Sequence, residues 1–176
     1  MSRQYLNDRW CVRCNRRATP TPYLRDNYKL VVDPALPKSD RTALSIVDVG
    51  CGNGRNTKFM RKKGHKNCAA LDMADDFGTE FILGHDRIPL PDNSVDIILA
   101  NYSMMFLSKQ ERAQLIKELK RVSKPGCAIM VELYPAKDSY AKTDTGMRRM
   151  LVAIAKDLGW PLVRSRKDKF IARRDS

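Results

Sequence analysis

The hydrophobic pattern of the chain alternates between short apolar runs and longer stretches with helical spacing. Continuous apolar runs at residues 44–49, 67–72, 95–101 and 127–131 are typical of buried parallel strands. Other apolar side chains recur at the spacing of one helix face. They are Leu115, Ile116, Leu119 and Val122, and then Met147, Met150, Leu151, Ile154, Ala155 and Leu158. Strands that alternate with helices predict an α/β fold built on a parallel sheet.

Local signals mark the ends of these elements. Gly64 and Gly159 each follow a helical stretch and are typical helix-terminating residues. Ser108 and Glu111 form a capping box, which predicts the start of a helix. Residues 162–173 contain two short strand patterns around a polar turn, which predicts an antiparallel hairpin. The sheet should therefore be mostly parallel and end in an antiparallel pair.

The segment after the second predicted strand interrupts this alternation. Only residues 73–79 separate that strand from the next apolar run at 80–83. A parallel crossover needs about a dozen residues and usually contains a helix, so the helix between strands 2 and 3 is predicted to be missing. The third strand is then either rudimentary or folded back on its neighbour. One sheet face loses its usual cover, and we hypothesise that the N-terminal arm or a second subunit lies there.

Residues 1–43 differ in composition from the rest of the chain. Their prolines, and their arginines interleaved with aromatics, predict an arm without regular structure, which leaves residues 44–176 as the domain. Arginines beside aromatic rings are typical of surfaces that hold phosphates and stack bases. The alternative is an extension whose aromatics pack on the domain. The candidate substrate-binding residues are Trp10, Arg13, Arg16, Arg17, Tyr23 and Tyr28.

Cys11 and Cys14 form a C-x-x-C pair inside this arm. Structural zinc takes about four ligands, and neither a second such pair nor an H-x-x-x-H sequence follows. The pair is interpreted as reduced structural thiols, with a metal site shared between subunits as the alternative, and no resident metal is expected. Five cysteines, an odd number, agree with a reducing compartment, and a cytoplasmic protein is expected.

Length and charge narrow the class of protein further. A chain of 176 residues with 43% hydrophobic content is large enough to bury a hydrophobic core without disulfide bonds or bound metal. Neither a run of about 18 apolar residues nor a signal-peptide core is present, so no membrane insertion is expected. The formal charge is +13, with the excess at the two ends. It indicates either a solvated basic surface or a polyanionic partner such as nucleic acid.

A glycine turn follows the first predicted strand and contains Gly50, Gly52 and Gly54. Glycines between a strand and a helix let a ligand touch bare backbone. A dinucleotide fingerprint places its third glycine one position later, where this chain has Arg55. Asp48, close before the first glycine, would also repel a pyrophosphate. The turn therefore favours a cationic ligand that carries an amine and no phosphate.

The pattern D-x-G-x-G-x-G at residues 48–54 resembles motif I of the class I S-adenosylmethionine-dependent methyltransferases. Residues 92–133, with their Lys-Pro-Gly turn after a helix, resemble the type 11 branch of that family. The resemblance extends from residue 44 to the end of the chain. It implies a Rossmann-like seven-stranded methyltransferase sheet with S-adenosyl-L-methionine as the cofactor.

The same resemblance implies a set of cofactor contacts. The glycine turn would hold the methionine part through its backbone amides, with Asp48 anchoring the network near the ammonium group. Asp72 would hold the ribose and Asp86 the adenine. The implied cofactor-binding residues are Asp48, Gly50, Cys51, Gly52, Asn53, Gly54, Asp72, Met73, Asp86, Arg87, Asn101 and Tyr102.

The catalytic group stays unassigned. Asn101 is not followed by the prolines of amino-methylating DNA enzymes, and the chain lacks a Pro-Cys nucleophile of the cytosine-C5 type. A reactive acceptor such as a carboxylate needs no general base, whereas an amine or hydroxyl can require one. The candidates are Asn101, Tyr102, Glu132, Tyr134 and His85.

Three functions are left open. The basic ends favour methyl transfer to a nucleic acid, RNA rather than DNA, or to another anionic substrate. A small-molecule methyltransferase is the first alternative. The second is a protein that binds or degrades S-adenosylmethionine without methyl transfer, because a missing helix after Asp72 would open the site to water. Nucleic acid is the expected partner, and the protein is expected to be a monomer or homodimer.

Overall fold

A mixed β-sheet forms the centre of the computed structural model, which describes residues 19–33, 36–72, 81–82, 87–133 and 144–175. Six strands have four to ten residues. A two-residue strand, β3, lies at one edge. The strands are β1 (Ile46–Val49), β2 (Cys68–Asp72), β3 (Phe81–Ile82), β4 (Val95–Asn101), β5 (Ser123–Glu132), β6 (Leu162–Ser165) and β7 (Lys169–Arg173). Their order across the sheet is β3-β2-β1-β4-β5-β7-β6.

The strand directions confirm the predicted fold class. β1 pairs in parallel with β2 and β4, and β4 pairs in parallel with β5. β7 is antiparallel to both β5 and β6, which forms the predicted C-terminal hairpin. The carboxyl ends of β1, β2, β4 and β5 therefore meet at one edge of the sheet. Ligands bind at this edge in open α/β sheets.

Helices cover both faces of the sheet. They are α1 (Pro22–Val31), α2 (Lys38–Ala43), α3 (Arg55–Lys62), α4 (Lys109–Val122) and α5 (Asp144–Leu158), and a 3-10 turn spans Met104–Phe106. Alternate residues of β4 enter two cores, as the period of a strand requires. Ile97 and Leu99 join the core beneath α1 and α3, whereas Ile98 and Ala100 join the core beneath α4 and α5. The fold thus has three layers with two buried interfaces.

The predicted helix boundaries are confirmed where local signals were strong. α4 begins with the capping box, in which Ser108 and Glu111 each bond the other's backbone amide. Gly64 follows the end of α3 with a φ of +97°, and Gly159 follows α5 with a φ of +68°. Both are backbone conformations that glycine adopts without strain.

The prediction that residues 1–43 lack regular structure is wrong for the described part, which contains α1 and α2. Pro22 occupies the first helical position of α1, where proline is compatible with a helix, and the side chain of Thr21 accepts a hydrogen bond from the Leu24 amide at 3.3 Å. Leu24 and Val31 are buried in the same core as Met130 of β5. The division between arm and domain stays a prediction, but α1 is part of the core.

β3 runs parallel to β2, with Leu71 opposite Phe81 and Asp72 opposite Ile82. This agrees with a rudimentary third strand and disagrees with a segment folded back on its neighbour. The predicted missing helix concerns residues 73–80, which lie outside the described residues. The described part of the arm packs against β5 through α1, on the sheet face that α3 also covers.

Candidate active site

The glycine turn between β1 and α3 is held against the end of β2. The amides of Gly50 and Cys51 both donate to the carbonyl oxygen of Leu71, at 2.7 and 3.0 Å. The Gly54 amide donates to the Cys51 carbonyl oxygen at 3.0 Å. Gly50, Gly52 and Gly54 all have positive φ angles. These amides therefore find their acceptors within the protein, and the bonds fix the shape of the turn.

Gly50 is required by the close approach of a second loop. A Cβ at Gly50 would lie 2.3 Å from the Cβ of Ser103, so the backbone would have to move. Gly54 has a similar φ, but a Cβ there would meet only the Cε of Lys58, at 4.0 Å. Ser103 follows β4, and its contact brings the end of that strand against the turn. Gly50 therefore allows the close approach of two loops, whereas glycine at position 54 is favoured only by its positive φ.

Asp48 is buried beneath the turn. Its Oδ2 accepts hydrogen bonds from the Thr57 amide at 3.1 Å and from the Thr57 hydroxyl at 2.7 Å. Burial raises the pKa of Asp48 to about 6, although the two bonds from Thr57 act in the opposite direction. Asp48 therefore ties β1 to the first turn of α3. Its predicted role near a ligand ammonium group stays a prediction.

Asp72 holds the turn from the other side. It is the last residue of β2, and its Oδ2 accepts a hydrogen bond from the Gly52 amide at 2.7 Å. Its side chain is half-buried, beside the turn and at the ligand-binding edge of the sheet. Its predicted contact with a ribose stays a prediction.

Buried polar side chains join the end of β4 to α1 and α3. The Asn101 Oδ1 accepts a hydrogen bond from the Asn56 side-chain amide at 3.4 Å. The Asn56 Oδ1 accepts one from the Thr21 backbone amide at 3.0 Å. All three residues are buried. This network fixes the start of α1 beside the carboxyl end of β4.

Glu132, the last residue of β5, accepts hydrogen bonds from three side chains. The donors are the Asn101 amide at 3.0 Å, the Tyr102 hydroxyl at 2.7 Å and the Lys169 ammonium group at 3.2 Å. Glu132 is only 1% exposed. Burying a carboxylate is costly unless donors surround it, and these three offset that cost. Glu132 therefore holds the Asn101 and Tyr102 side chains in place, and its candidacy as a catalytic group stays a prediction.

Tyr102 lies between the glycine turn and Glu132. Its φ of +60° is uncommon for a residue with a side chain. Its amide donates to the Glu132 carbonyl oxygen at 2.7 Å, so Glu132 holds both its backbone and its hydroxyl. The guanidinium group of Arg55 lies 5.7 Å from the centre of its ring. Such strained residues are concentrated at functional sites, where their surroundings hold them in place.

Residues 88–90 are hydrogen-bonded to α4. Arg121 donates to the carbonyl oxygens of Ile88 at 2.8 Å and Leu90 at 2.9 Å. The Ile88 amide donates to the carboxylate of Glu118 at 2.9 Å. The side chain of Arg87 is exposed and lies 3.9 Å from the Asp92 carboxylate. The predicted cofactor contact of Arg87 stays a prediction.

The two described tyrosines of the predicted substrate-binding set are packed into the protein. Tyr23 is 4% exposed, and the Lys169 ammonium group lies 5.2 Å from the centre of its ring. The Tyr28 hydroxyl is 2.7 Å from His65 Nε2, and its ring packs edge-on against Phe59. For Tyr23 and Tyr28 the structure therefore favours the alternative in which aromatics of the arm pack on the domain.

Several predicted residues lie outside the described part of the chain. They are Trp10, Cys11, Arg13, Cys14, Arg16, Arg17, Met73, His85, Asp86 and Tyr134. Among the residues that are described, no group of three His, Cys, Asp or Glu side chains is arranged to hold a metal ion. No helix within those ranges is both long and apolar enough to cross a membrane. The described cysteines, Cys51, Cys68 and Cys127, are free thiols.

Sequence reasoning missed Thr21, Asn56 and Lys169. Lys169 lies directly opposite Glu132 in the β5–β7 register, so its role follows only once the strand order is known. Thr21 precedes the first proline of α1 and carries an N-cap signal, which the prediction of an irregular arm concealed. Asn56 carries no signal, because a single asparagine at a helix start is usually a local cap.

Known proteins of one family resemble the part of the chain that contains this site. The family model described as a methyltransferase domain matches residues 47–131, which contain the glycine turn, Asp72 and Tyr102. The malonyl-[acyl-carrier protein] O-methyltransferase of Yersinia pestis is 33% identical over 99 residues, which are 51% of this chain and 36% of that protein. The match therefore spans about a third of the relative's length.

Solved structures agree on the fold. A SAM dependent methyltransferase from Aquifex aeolicus has a TM-score of 0.55 at 20% identity, over 84% of this chain and 91% of the other. One from Archaeoglobus fulgidus has a TM-score of 0.57 at 18% identity, over 79% and 66% of the two chains. At these identities the likeness concerns the fold alone. Together with the sequence match over residues 47–131, it confirms the resemblance of this chain to the class I S-adenosylmethionine-dependent methyltransferases of the type 11 branch.

Proposed function

We propose that this protein is an S-adenosylmethionine-dependent methyltransferase that acts on the carboxylate of an acidic acceptor. The observation that carries the proposal is the glycine turn held between Asp48 and Asp72, inside the segment that matches the methyltransferase domain. The match covers about a third of the curated relative, so the activity is inferred from this site rather than taken from that protein.

The residues at the site fit the cofactor through the chemistry of their donor and acceptor groups. An ammonium group needs acceptors, which the carbonyl oxygens of the turn supply, and ribose hydroxyls match the Asp72 carboxylate. Two acids beside the turn suit a ligand without phosphate. The residues that would hold it are Asp48, Gly50, Cys51, Gly52, Asn53, Gly54, Asp72, Met73, Asp86, Arg87, Asn101 and Tyr102.

The chemistry then requires positioning more than proton transfer. When bound, S-adenosylmethionine supplies an electrophilic methyl group on its sulfonium. The task of the chain's own residues is to hold an acceptor in line and to exclude water. Asn101 and Tyr102 end β4 beside the turn, and Glu132 fixes both side chains. Their polar atoms are therefore in place before an acceptor arrives.

The acceptor is inferred from the engaged state of the acid at the end of β5. Among the described residues at the ends of β4 and β5, the carboxylate of Glu132 accepts from three donors and is buried. An amine or hydroxyl acceptor usually transfers its proton to a base, whereas a carboxylate attacks as an anion. The malonyl O-methyltransferase named among the relatives supports an acceptor of this class.

Methyl transfer to a nucleic acid is the second candidate function, and the formal charge of +13 is the observation in its favour. The buried ring of Tyr23 and the partly buried ring of Tyr28 weaken it, because base stacking needs an exposed ring face. Retention on heparin with a steep salt dependence would favour this candidate. Elution at low salt would remove the main reason for it.

The cofactor claim is tested by calorimetric titration with S-adenosylmethionine and with its demethylated product. Asp72→Asn keeps an acceptor for the Gly52 amide but loses the charge, and we expect affinity to fall about tenfold, as for a lost charged hydrogen bond. Asp157→Asn, an exposed acid on α5, is the matched control. If neither compound binds the wild-type protein, the proposal is wrong.

The acceptor claim is tested by transfer of labelled methyl. The wild-type protein is incubated with labelled cofactor and either malonyl thioesters, other carboxylates, fractionated RNA or DNA. We expect base-labile methyl esters on the carboxylates. Label in RNA would support the second candidate, and loss of the cofactor without any acceptor would indicate a degrading enzyme.

A further inference from the structure

Arg55 connects the glycine turn to the end of β4. It is the first residue of α3 and directly follows Gly54 of the turn. Its guanidinium group lies over the ring of Tyr102, 5.7 Å from the ring centre, a distance at which the face of an aromatic ring attracts a cation. Tyr102 directly follows the last residue of β4. The Arg55 side chain therefore reaches from the turn across to the carboxyl end of β4.

This direction places the guanidinium group on the acceptor side of the candidate site. β1 lies between β2 and β4 in the sheet, so Asp72 and Tyr102 end strands on opposite sides of the turn. Asp72 binds the Gly52 amide on the β2 side, where the predicted ribose contact lies. Arg55 instead extends towards the side chains that converge on Glu132. A ligand group bound by Arg55 would therefore belong to the acceptor half of the site.

The Arg55 side chain is accessible and forms no ion pair with any side chain in the described part of the chain. Arg55 and Tyr102 are both partly exposed, so a ligand can reach them. The acids of the site, Asp48, Asp72 and Glu132, accept hydrogen bonds from other groups of the protein. The guanidinium group thus offers its donors to a ligand at the edge of the sheet where ligands bind.

Glu132 holds the ring beneath this guanidinium group at both ends of the residue. The Tyr102 amide donates to the Glu132 carbonyl oxygen and the Tyr102 hydroxyl to the Glu132 carboxylate, both at 2.7 Å. The ring is therefore fixed despite the unusual φ of +60°. A cation that rests on a fixed ring loses less side-chain freedom when a ligand binds, and such preorganisation strengthens binding.

We propose that Arg55, held on the Tyr102 ring, binds the carboxylate of the methyl acceptor. The identity of the ligand rests on the proposed function. A guanidinium group presents parallel N–H donors in a rigid plane, which match the two oxygens of a carboxylate. Methylation removes the negative charge of the carboxylate, so the ester is held less tightly and is released.

The test is calorimetric titration of the full chain with sodium monomethyl malonate in the presence of the demethylated cofactor product. Arg55→Gln removes the charge, and we expect affinity to fall roughly tenfold, as for a lost charged hydrogen bond. Arg55→Lys keeps the charge but loses the paired donors and should bind about threefold more weakly. The matched control is Lys62→Gln, which removes the same charge from the exposed last residue of α3 and should bind as the wild type does.

The neutral diester dimethyl malonate differs from this probe only in having an ester in place of the carboxylate. It should bind more weakly to the wild type, and Arg55→Gln should bind it as the wild type does. The role of the ring is tested by Tyr102→Leu, which should weaken monomethyl malonate binding about threefold, as for a lost cation–π contact. Tyr102→Phe keeps a ring and should lose less.

Thermal unfolding separates a binding role from a structural one. A cation in the first turn of a helix opposes the helix dipole, which offsets its attraction to the Tyr102 ring. The melting temperature of Arg55→Gln should therefore stay close to that of the wild type while its affinity for monomethyl malonate falls. Wild-type protein that does not bind monomethyl malonate, or Arg55→Gln that binds it equally, would overturn the subsite.

The cofactor carries a carboxylate of its own, on its amino-acid end, and titration with the demethylated product distinguishes the two sources. We expect Arg55→Gln to bind that product as the wild type does. If the variant loses affinity for the product and keeps its affinity for monomethyl malonate, Arg55 binds the cofactor and the acceptor assignment is wrong. Inorganic phosphate that binds through Arg55 in preference to monomethyl malonate would overturn the carboxylate assignment.

The outcome for the proposed function is measured separately. If the demethylated product binds and monomethyl malonate does not, only the subsite is wrong. If monomethyl malonate binds through Arg55 while neither S-adenosylmethionine nor its product binds, the subsite stands and the methyltransferase proposal fails.

Discussion

The two halves of the candidate site are built in different ways. The half at the ends of β1 and β2 is made mainly of backbone: three glycines with positive φ, held by Leu71 and Asp72. The half at the ends of β4, β5 and β7 is made of side chains that converge on Glu132. A site built from backbone in unusual conformations tolerates few residue types at those positions. A site built from side chains can change its chemistry by single substitutions. One scaffold can therefore keep its cofactor half while its acceptor half changes.

The largest effect on the half of the site made of backbone is expected for Gly50→Ala. The new Cβ would overlap the Cβ of Ser103, and the φ of +67° would add strain. We expect a loss of more than about 3 kcal/mol in the free energy of unfolding, together with loss of cofactor binding. Urea unfolding and calorimetry measure the two effects.

Gly54→Ala is the matched control, since it has the same sign of φ but open space at its Cβ. It should cost only about 1 kcal/mol. Equal losses in the two variants would contradict the distinct role assigned to Gly50.

Asp48→Asn tests the one buried acid of the backbone half through its pH dependence. Burial raises the pKa of Asp48 from 3.8 to about 6, so the folded state binds this proton more tightly than the unfolded state. Its contribution to stability is present below pH 3.8 and is lost as the pH rises through 6. The stability of Asp48→Asn relative to wild type should therefore rise by about 3 kcal/mol between the two ends of that window. If the difference in stability between Asp48→Asn and wild type is independent of pH, burial does not raise the pKa of Asp48.

Glu132→Gln tests the side-chain half. The substituted amide keeps the shape and one acceptor but loses the charge that Lys169 and Tyr102 bind, and we expect a loss of about 2 kcal/mol in unfolding free energy. Cofactor affinity should stay within about twofold while methyl transfer falls, since a lost hydrogen bond affects only the groups it joins. Unfolding, calorimetry and methyl transfer are compared in the same preparation.

The control is Glu118→Gln, because Glu118 is also a largely buried carboxylate but is paired with Arg121 on α4. It should lose a similar amount of stability without a specific effect on methyl transfer. If both variants lose activity in proportion to stability, Glu132 has no positioning role.

The smallest effect is expected for Tyr102→Phe, which removes one donor to Glu132 and leaves the ring in place. The cost should be about 1 kcal/mol in the free energy of unfolding, with reduced methyl transfer. Tyr28→Phe removes a comparable hydroxyl contact, to His65, at a distance from the end of β5. Unchanged methyl transfer in Tyr102→Phe would show that the bond from its hydroxyl to Glu132 has no part in methyl transfer.

The same contrast explains which features could be predicted from the sequence. The glycine turn, the α4 capping box and the C-terminal hairpin depend on residues close together in the chain, and each carries a local signal. The contact of Gly50 with Ser103 and the pairing of Lys169 with Glu132 depend on strand order and register. No short pattern encodes them. α1 was missed for another reason: the prolines in and around it and its polar residues predict an irregular segment until the sheet that buries Leu24 is known.

The attachment of α1 to the C-terminal hairpin has a consequence for how the protein folds. Arg164 bonds Asn27 across 137 positions of sequence, and Arg173 bonds the Leu30 carbonyl oxygen across 143. Contacts of such separation form late, because a long loop must close before they form. α1 is therefore synthesised early but can dock only after the hairpin has joined the sheet. Until then Leu24 and Val31 stay exposed, and this interval is when chaperones and proteases have access to the nascent protein.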